Sequence, residues 1–107
     1  YIHIMDLAEA HSQSLYYLFE NENIYLNLNI GTGIGTSVLE IINLYEKVNK
    51  CLIPFKIRPR RKGDLPKLVA ESTKARTLLN WYPKYSLNDI CKDSWNWVLL
   101  NPKGYLQ

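Results

Sequence analysis

Strand-like and helix-like periods alternate along this chain, and that alternation predicts an α/β fold. Three observations carry the expectation. Residues Ile24 to Ile30 alternate strictly, with Ile24, Leu26, Leu28 and Ile30 on one face and Tyr25, Asn27 and Asn29 on the other. Flanking stretches instead follow a 3.6-residue period, as at Val38, Ile41, Ile42, Tyr45 and Val48. Capping-box pairs punctuate the helix starts. The expected strands are few and short, so the pattern suits a small lobe leaning on a larger one rather than a complete doubly wound sheet.

In order along the chain, Tyr1 to Met5 alternates and predicts the end of a strand. Asp6 with Glu9 has capping-box spacing, and Leu7, His11, Leu15 and Leu18 mark the inner face of a helix to about Glu20. Asn21-Glu22-Asn23 breaks it before the Ile24–Ile30 strand. Gly31-Thr32-Gly33-Ile34-Gly35 then leads to Ser37, which with Glu40 opens a helix through about Asn49. Ile53 to Ile57 and Leu68 to Ala70 read as further short strands, and Ser72 or Thr73 caps a short helix from Lys74 to about Asn80. Ser86 with Asp89 opens the last helix, which runs to about Leu100 and is stopped by Asn101-Pro102-Lys103-Gly104. Trp95 and Trp97, two apart on that helix, must point to different faces.

Composition narrows the function classes. At 107 residues the chain is one domain, taken as 1–107, or a piece of one. Its 47% hydrophobic content and three tryptophans can build a core, which argues against intrinsic disorder. The net charge of +3 sits largely in Arg58 to Lys62 and does not mark a nucleic-acid-binding protein. No apolar run reaches the roughly eighteen residues of a membrane span. Asp6, Glu9 and His11 interrupt the N-terminal apolar residues, unlike a signal peptide. Cys51 and Cys91 lack CxxC spacing, which fits a reduced, cytoplasmic setting. The chain opens at Tyr1, with Met5 its sole methionine, and is expected to be the C-terminal part of a longer protein.

The densest chemistry lies in Pro59-Arg60-Arg61-Lys62-Gly63-Asp64-Leu65-Pro66. The prolines exclude helix interior and central strand, leaving an exposed loop. A guanidinium suits phosphate oxygens in a bidentate way, and a nearby carboxylate can accept from a pair of hydroxyls. A solvated basic loop fits the same residues. The glycines at 31, 33 and 35 do not match GxGxxG, and no acidic residue ends a second strand; a tight turn and an anion-holding helix start both fit. His3 and His11 read as packing or hydrogen-bonding residues without a shared metal geometry. Glu40, Glu46, Asp89 and Asp93 read as caps or helix surface and form no acid–base pair. No catalytic, cofactor-binding or metal-binding residue is expected.

Several stretches together carry a resemblance. They are Tyr1-Ile2-His3-Ile4-Met5-Asp6-Leu7-Ala8, Asn29 to Glu40, Pro59-Arg60-Arg61-Lys62-Gly63-Asp64, Leu79-Asn80-Trp81, Trp95-Asn96-Trp97 and Asn101-Pro102-Lys103-Gly104-Tyr105. In this order they resemble the C-terminal third of the UDP-glucose 4-epimerases, a branch of the extended short-chain dehydrogenase/reductases. The resemblance implies a C-terminal substrate-binding lobe whose NAD-binding Rossmann sheet is missing from this chain. In that family a bound NAD takes a hydride from C4 of the hexose and returns it to the other face, while a tyrosine of a Tyr-x-x-x-Lys pair takes the hydroxyl proton.

No tyrosine here has a lysine four residues later, so the resemblance implies a lobe that holds a UDP-hexose and performs no chemistry alone. It places Arg61 on the pyrophosphate, Asp64 on the ribose hydroxyls and Tyr1 near the nucleotide. Leu68 falls where the family gates space around the sugar's C2 substituent; tyrosine is frequent there in bacterial enzymes restricted to unacetylated sugars. The implied partners are the UDP-hexose, an N-terminal NAD-binding domain and, for the full-length enzyme, a second copy in a homodimer; no nucleic acid and no membrane are implied. Two alternatives stand beside this reading: a related UDP-sugar enzyme such as a pentose 4-epimerase or a decarboxylase, and a stand-alone anion- or RNA-binding module using Arg58 to Lys62.

Overall fold

Four helices form among the described residues, three of them opened by a side-chain cap and the helix after Ser72 without one. In the computed structural model, which describes residues 1–105, they are α1 (Ile4–Glu20), α2 (Val38–Asn49), α3 (Thr73–Leu79) and α4 (Leu87–Leu100). The two serine capping boxes form as expected. The Ser37 Oγ accepts from Glu40 N at 3.2 Å while the Glu40 carboxylate accepts from Ser37 N at 2.6 Å. Ser86 and Asp89 repeat the exchange at the head of α4, at 3.3 and 2.8 Å. α3 ends at Asn80 in the left-handed region, a residue type that tolerates it. Leu106 and Gln107, included in the 1–107 expectation, lie outside the described residues.

The expected strands are corrected. Among the described residues no ladder forms at 1–5, 24–30, 53–57 or 68–70; these stretches run without regular structure. Alternation selects an extended backbone, but a strand also needs a neighbour for its N–H and C=O groups. No such neighbour is paired with them among the described residues.

The N-terminal helix is also corrected. It starts at Ile4, not after Asp6, because His3 is the cap: its Nδ1 accepts from Met5 N at 3.1 Å. Asp6 is thereby released from capping. It is fully buried, and its carboxylate accepts from the backbone N–H groups of Lys84 at 2.9 Å and Tyr85 at 3.1 Å. Its carbonyl accepts from the Trp81 indole at 3.1 Å. The inner stripe of α1 is accordingly Asp6 and Ala10 with half-buried Ser14 and Tyr17, while His11, Leu15 and Leu18 face outward. His11 bonds back to its own helix at Leu7 O, 2.7 Å away.

Small residues let the first pair of helices approach. Ala10 of α1 and Ala75 of α3 are completely buried beside Leu79 and Trp81, with Ile2, Tyr17, Leu28 and Ile30 packed on them. α2 pairs with α4, where Trp95 meets Tyr45 edge-on at 6.0 Å and Asn49 Nδ2 donates to Cys91 O at 3.1 Å. Trp97, on the other face, meets Tyr105 at 5.6 Å. This core is small. The Cα radius of gyration is 17.1 Å, against about 13 Å for a compact domain of this length. Phe19, Leu52, Ile57 and Leu100 stand at least 80% exposed.

Two predictions follow from these contacts. Asp6→Ala strands two backbone donors in a buried position and should lower unfolding free energy by roughly 2–4 kcal/mol, read as a shift in urea midpoint. Asp6→Asn should recover only part, because its amide NH₂ must face one of the two donors. The second concerns pH. The Ser86 hydroxyl, and then its N–H, hold the Asp89 carboxyl below its ordinary value. A lowered folded value means the stabilisation is fully present above the ordinary carboxylate range and lost as pH falls through the folded value. Asp89→Asn should therefore flatten the acid limb of a stability–pH curve without adding stability at neutral pH.

Candidate functional site

The Pro59–Pro66 loop contains a tight turn whose side chains hold one another. Asp64 N donates to Arg61 O at 3.3 Å, with Gly63 at φ +92°, a conformation that L side chains resist. Asp64 Oδ2 accepts from both Arg61 N and Arg61 Nε, each at 3.3 Å. The Arg60 guanidinium closes the same turn onto the Asp64 carbonyl. Of the four expected ligand-binding residues two lie in this turn, Arg61 with its side chain 86% exposed and Asp64 with 39%. An ion pair so exposed contributes little to stability. Chemically, the turn leaves the far edge of the Arg61 fork open to solvent, with a carboxylate fixed beside it. A phosphate and a neighbouring hydroxyl are what such a pair can receive together.

Tyr1 and Leu68 come together elsewhere. They line one cleft of about 230 Å³ with Ile2, Ile30, Thr32 and Val69, and neither Arg61 nor Asp64 lines it. Leu68 is 84% exposed and Tyr1 56%. The structure therefore presents two separate parts: a polar turn that suits an anion, and a cleft of mixed polar and apolar lining.

The glycine turn resolves into a packing device. A Cβ at Gly31 would lie 2.6 Å from Ala70 Cβ, and one at Gly35 would lie 3.0 Å from Val69 Cγ2. The glycines thus let residues 31–35 press flat against residues 69–70. That space is filled by protein, and the residues do not fit a dinucleotide cradle. Sequence reasoning missed Arg76, which donates from Nη2 to Thr32 O at 2.8 Å. Nothing in its spacing separates it from the other cations of the chain; its partner lies 44 residues away. His3 is buried, stacked on Tyr85 at 4.2 Å and bonded through Nε2 to Asp93 at 3.2 Å, a packing and hydrogen-bonding role.

Gly31→Ala should cost about 1–3 kcal/mol through overpacking against Ala70. At Gly63 nothing lies within 4 Å of a new Cβ, so Gly63→Ala carries only the positive-φ penalty of about 1–2 kcal/mol. Urea midpoints of the two variants check the order.

Comparison with known proteins supplies the context for this geometry. Residues 2–94 match the family described as GDP-mannose 4,6 dehydratase. UDP-glucose 4-epimerase 4 of Oryza sativa subsp. japonica is 48% identical over 105 residues, which is 98% of this chain and 28% of that protein. The bifunctional UDP-glucose 4-epimerase and UDP-xylose 4-epimerase 1 of Pisum sativum is 45% identical over 106 residues, 98% of this chain and 30% of its own length. Among solved structures, the UDP-glucose 4-epimerase of Bifidobacterium longum, in complex with NAD⁺ and UDP, superposes with a TM-score of 0.89 at 38% identity. That superposition covers 98% of this chain and 31% of the other. The chain thus spans less than a third of these relatives, matching their C-terminal part, and the helical make-up of its described residues, without a sheet, agrees with a lobe whose Rossmann sheet is missing.

Proposed function

This chain belongs to the GDP-mannose 4,6 dehydratase family, and from that premise we propose that it is the UDP-sugar-binding lobe of a UDP-glucose 4-epimerase. The observation that carries the reading is the Arg61–Asp64 turn, which aims a guanidinium edge at solvent beside a fixed carboxylate. In this reading Arg61 takes the pyrophosphate, Asp64 the ribose hydroxyls, Tyr1 stays near the nucleotide, and Leu68, in the same cleft, gates the sugar's C2 substituent. NAD, held by the rest of the enzyme, supplies hydride removal and return at C4. This chain's own part is to bind and orient, since it carries no Tyr-x-x-x-Lys pair to move the proton.

The large exposed apolar area and the unpaired extended segments support a lobe that completes its core against an N-terminal NAD-binding domain. The full enzyme is proposed to be a cytoplasmic homodimer. The relative with activity named on both UDP-glucose and UDP-xylose favours a second reading, in which UDP-pentoses are also substrates.

In the full-length protein, Arg61→Ala should raise KM for UDP-glucose while NAD stays bound. Two charge-assisted hydrogen bonds to phosphate are worth roughly 2–4 kcal/mol together, or about thirty- to a thousand-fold. Arg61→Lys should recover part of this as a point charge. Unchanged UDP-glucose affinity in a titration of Arg61→Ala at moderate salt would return the loop to a solvated basic turn. Leu68→Tyr should depress turnover of the N-acetylated substrate more than that of UDP-glucose; equal effects would remove Leu68 from the sugar site. Comparing UDP-xylose with UDP-glucose as substrates decides the second reading.

A further inference from the structure

One charged side chain, from α3, holds a backbone carbonyl in the wall of the Tyr1–Leu68 cleft. Thr32 and Gly33 belong to one wall and Val69 and Ala70 to the other. Arg76 lines no part of that cleft, yet its Nη2 holds the Thr32 carbonyl at 2.8 Å from behind. Its guanidinium lies 5.9 Å from the Tyr82 ring centroid, which supports it from one side. Gly33, at φ +77°, lies beside the guanidinium: a Cβ there would meet Nη2 at an ordinary contact distance of 3.4 Å.

The choice of side chain is informative. Arg76 Nε is buried without a hydrogen-bond partner among the described residues. An aliphatic residue of similar length would fill the same space and leave no donor unmatched. What only a long cationic donor provides is the reach to Thr32. Resting on the reading of the cleft as the sugar site, we propose that Arg76 is a positioning residue that locks the Thr32–Gly33 turn against Val69–Ala70 and so sets the width of the cleft.

The test uses the full-length enzyme with Arg76→Met and Arg76→Lys, read by amide hydrogen exchange at residues 31–35 and by KM and kcat for UDP-glucose. Arg76→Met should speed exchange in the turn about tenfold or more and raise KM about tenfold, with kcat within about twofold. Arg76→Lys, which still carries a donor, should show about a threefold change in both. A merely structural role would lower the melting temperature without this local pattern. Unchanged exchange at 31–35 in Arg76→Met overturns the lock. Faster exchange with unchanged KM overturns the link to the cleft. Should Arg76→Met not fold, Arg76→Lys decides: unchanged exchange or unchanged KM overturns the proposal. If the parent enzyme binds no UDP-hexose, the functional reading falls by itself, taking the cleft-width role with it, and the exchange comparison still judges the lock.

Discussion

The fold depends on a buried carboxylate that neutralises backbone donors instead of another charge. Asp6 is fully enclosed at the head of α1 and receives the N–H groups of Lys84 and Tyr85, while its own carbonyl receives the Trp81 indole. Burying a carboxylate is costly unless its lone pairs are matched. Here the matching fixes residues 81–85 against α1. Because Ser86 caps α4, placing that segment also places α4, and α4 in turn carries α2. Lys84 and Glu9 add an ion pair at 2.6 Å across the same junction, but it is exposed and secondary. Its main trace is on Lys84, whose ammonium the Glu9 hydrogen bond holds above its ordinary value.

What could be read from the sequence divides by the range of the interaction. Ser37–Glu40 and Ser86–Asp89 are exchanges within four residues, so their spacing alone locates two helix starts. The start of α1 is equally local, yet Asp6 and Glu9 imitate a capping box and hide the true cap, His3. Asp6 was needed 78 residues away, at Lys84, and no periodicity reports that. The extended segments were misread for a related reason. Alternation at Ile24–Ile30 describes which face is apolar; it does not supply the adjoining strand.

The candidate site divides in the same way. The Arg61–Asp64 turn is legible because charge, glycine and proline fall within one short loop. That Tyr1 and Leu68 line one cleft emerges only in three dimensions, since 67 positions separate them in the sequence. The glycines at 31, 33 and 35 look like a phosphate loop in one dimension. In three dimensions they are the flat side of a contact within the chain, shaped by Ala70, Val69 and Arg76.

The Ile24–Ile30 segment has a consequence beyond catalysis. It keeps the apolar alternation of a strand, with Tyr25 85% exposed, and its backbone groups engage in no ladder. A stretch of that kind is a template for any other extended chain, including another copy of itself. For this chain on its own the hazard is intermolecular strand addition. Yield of soluble chain is then limited by this exposed segment as much as by the stability of its helices.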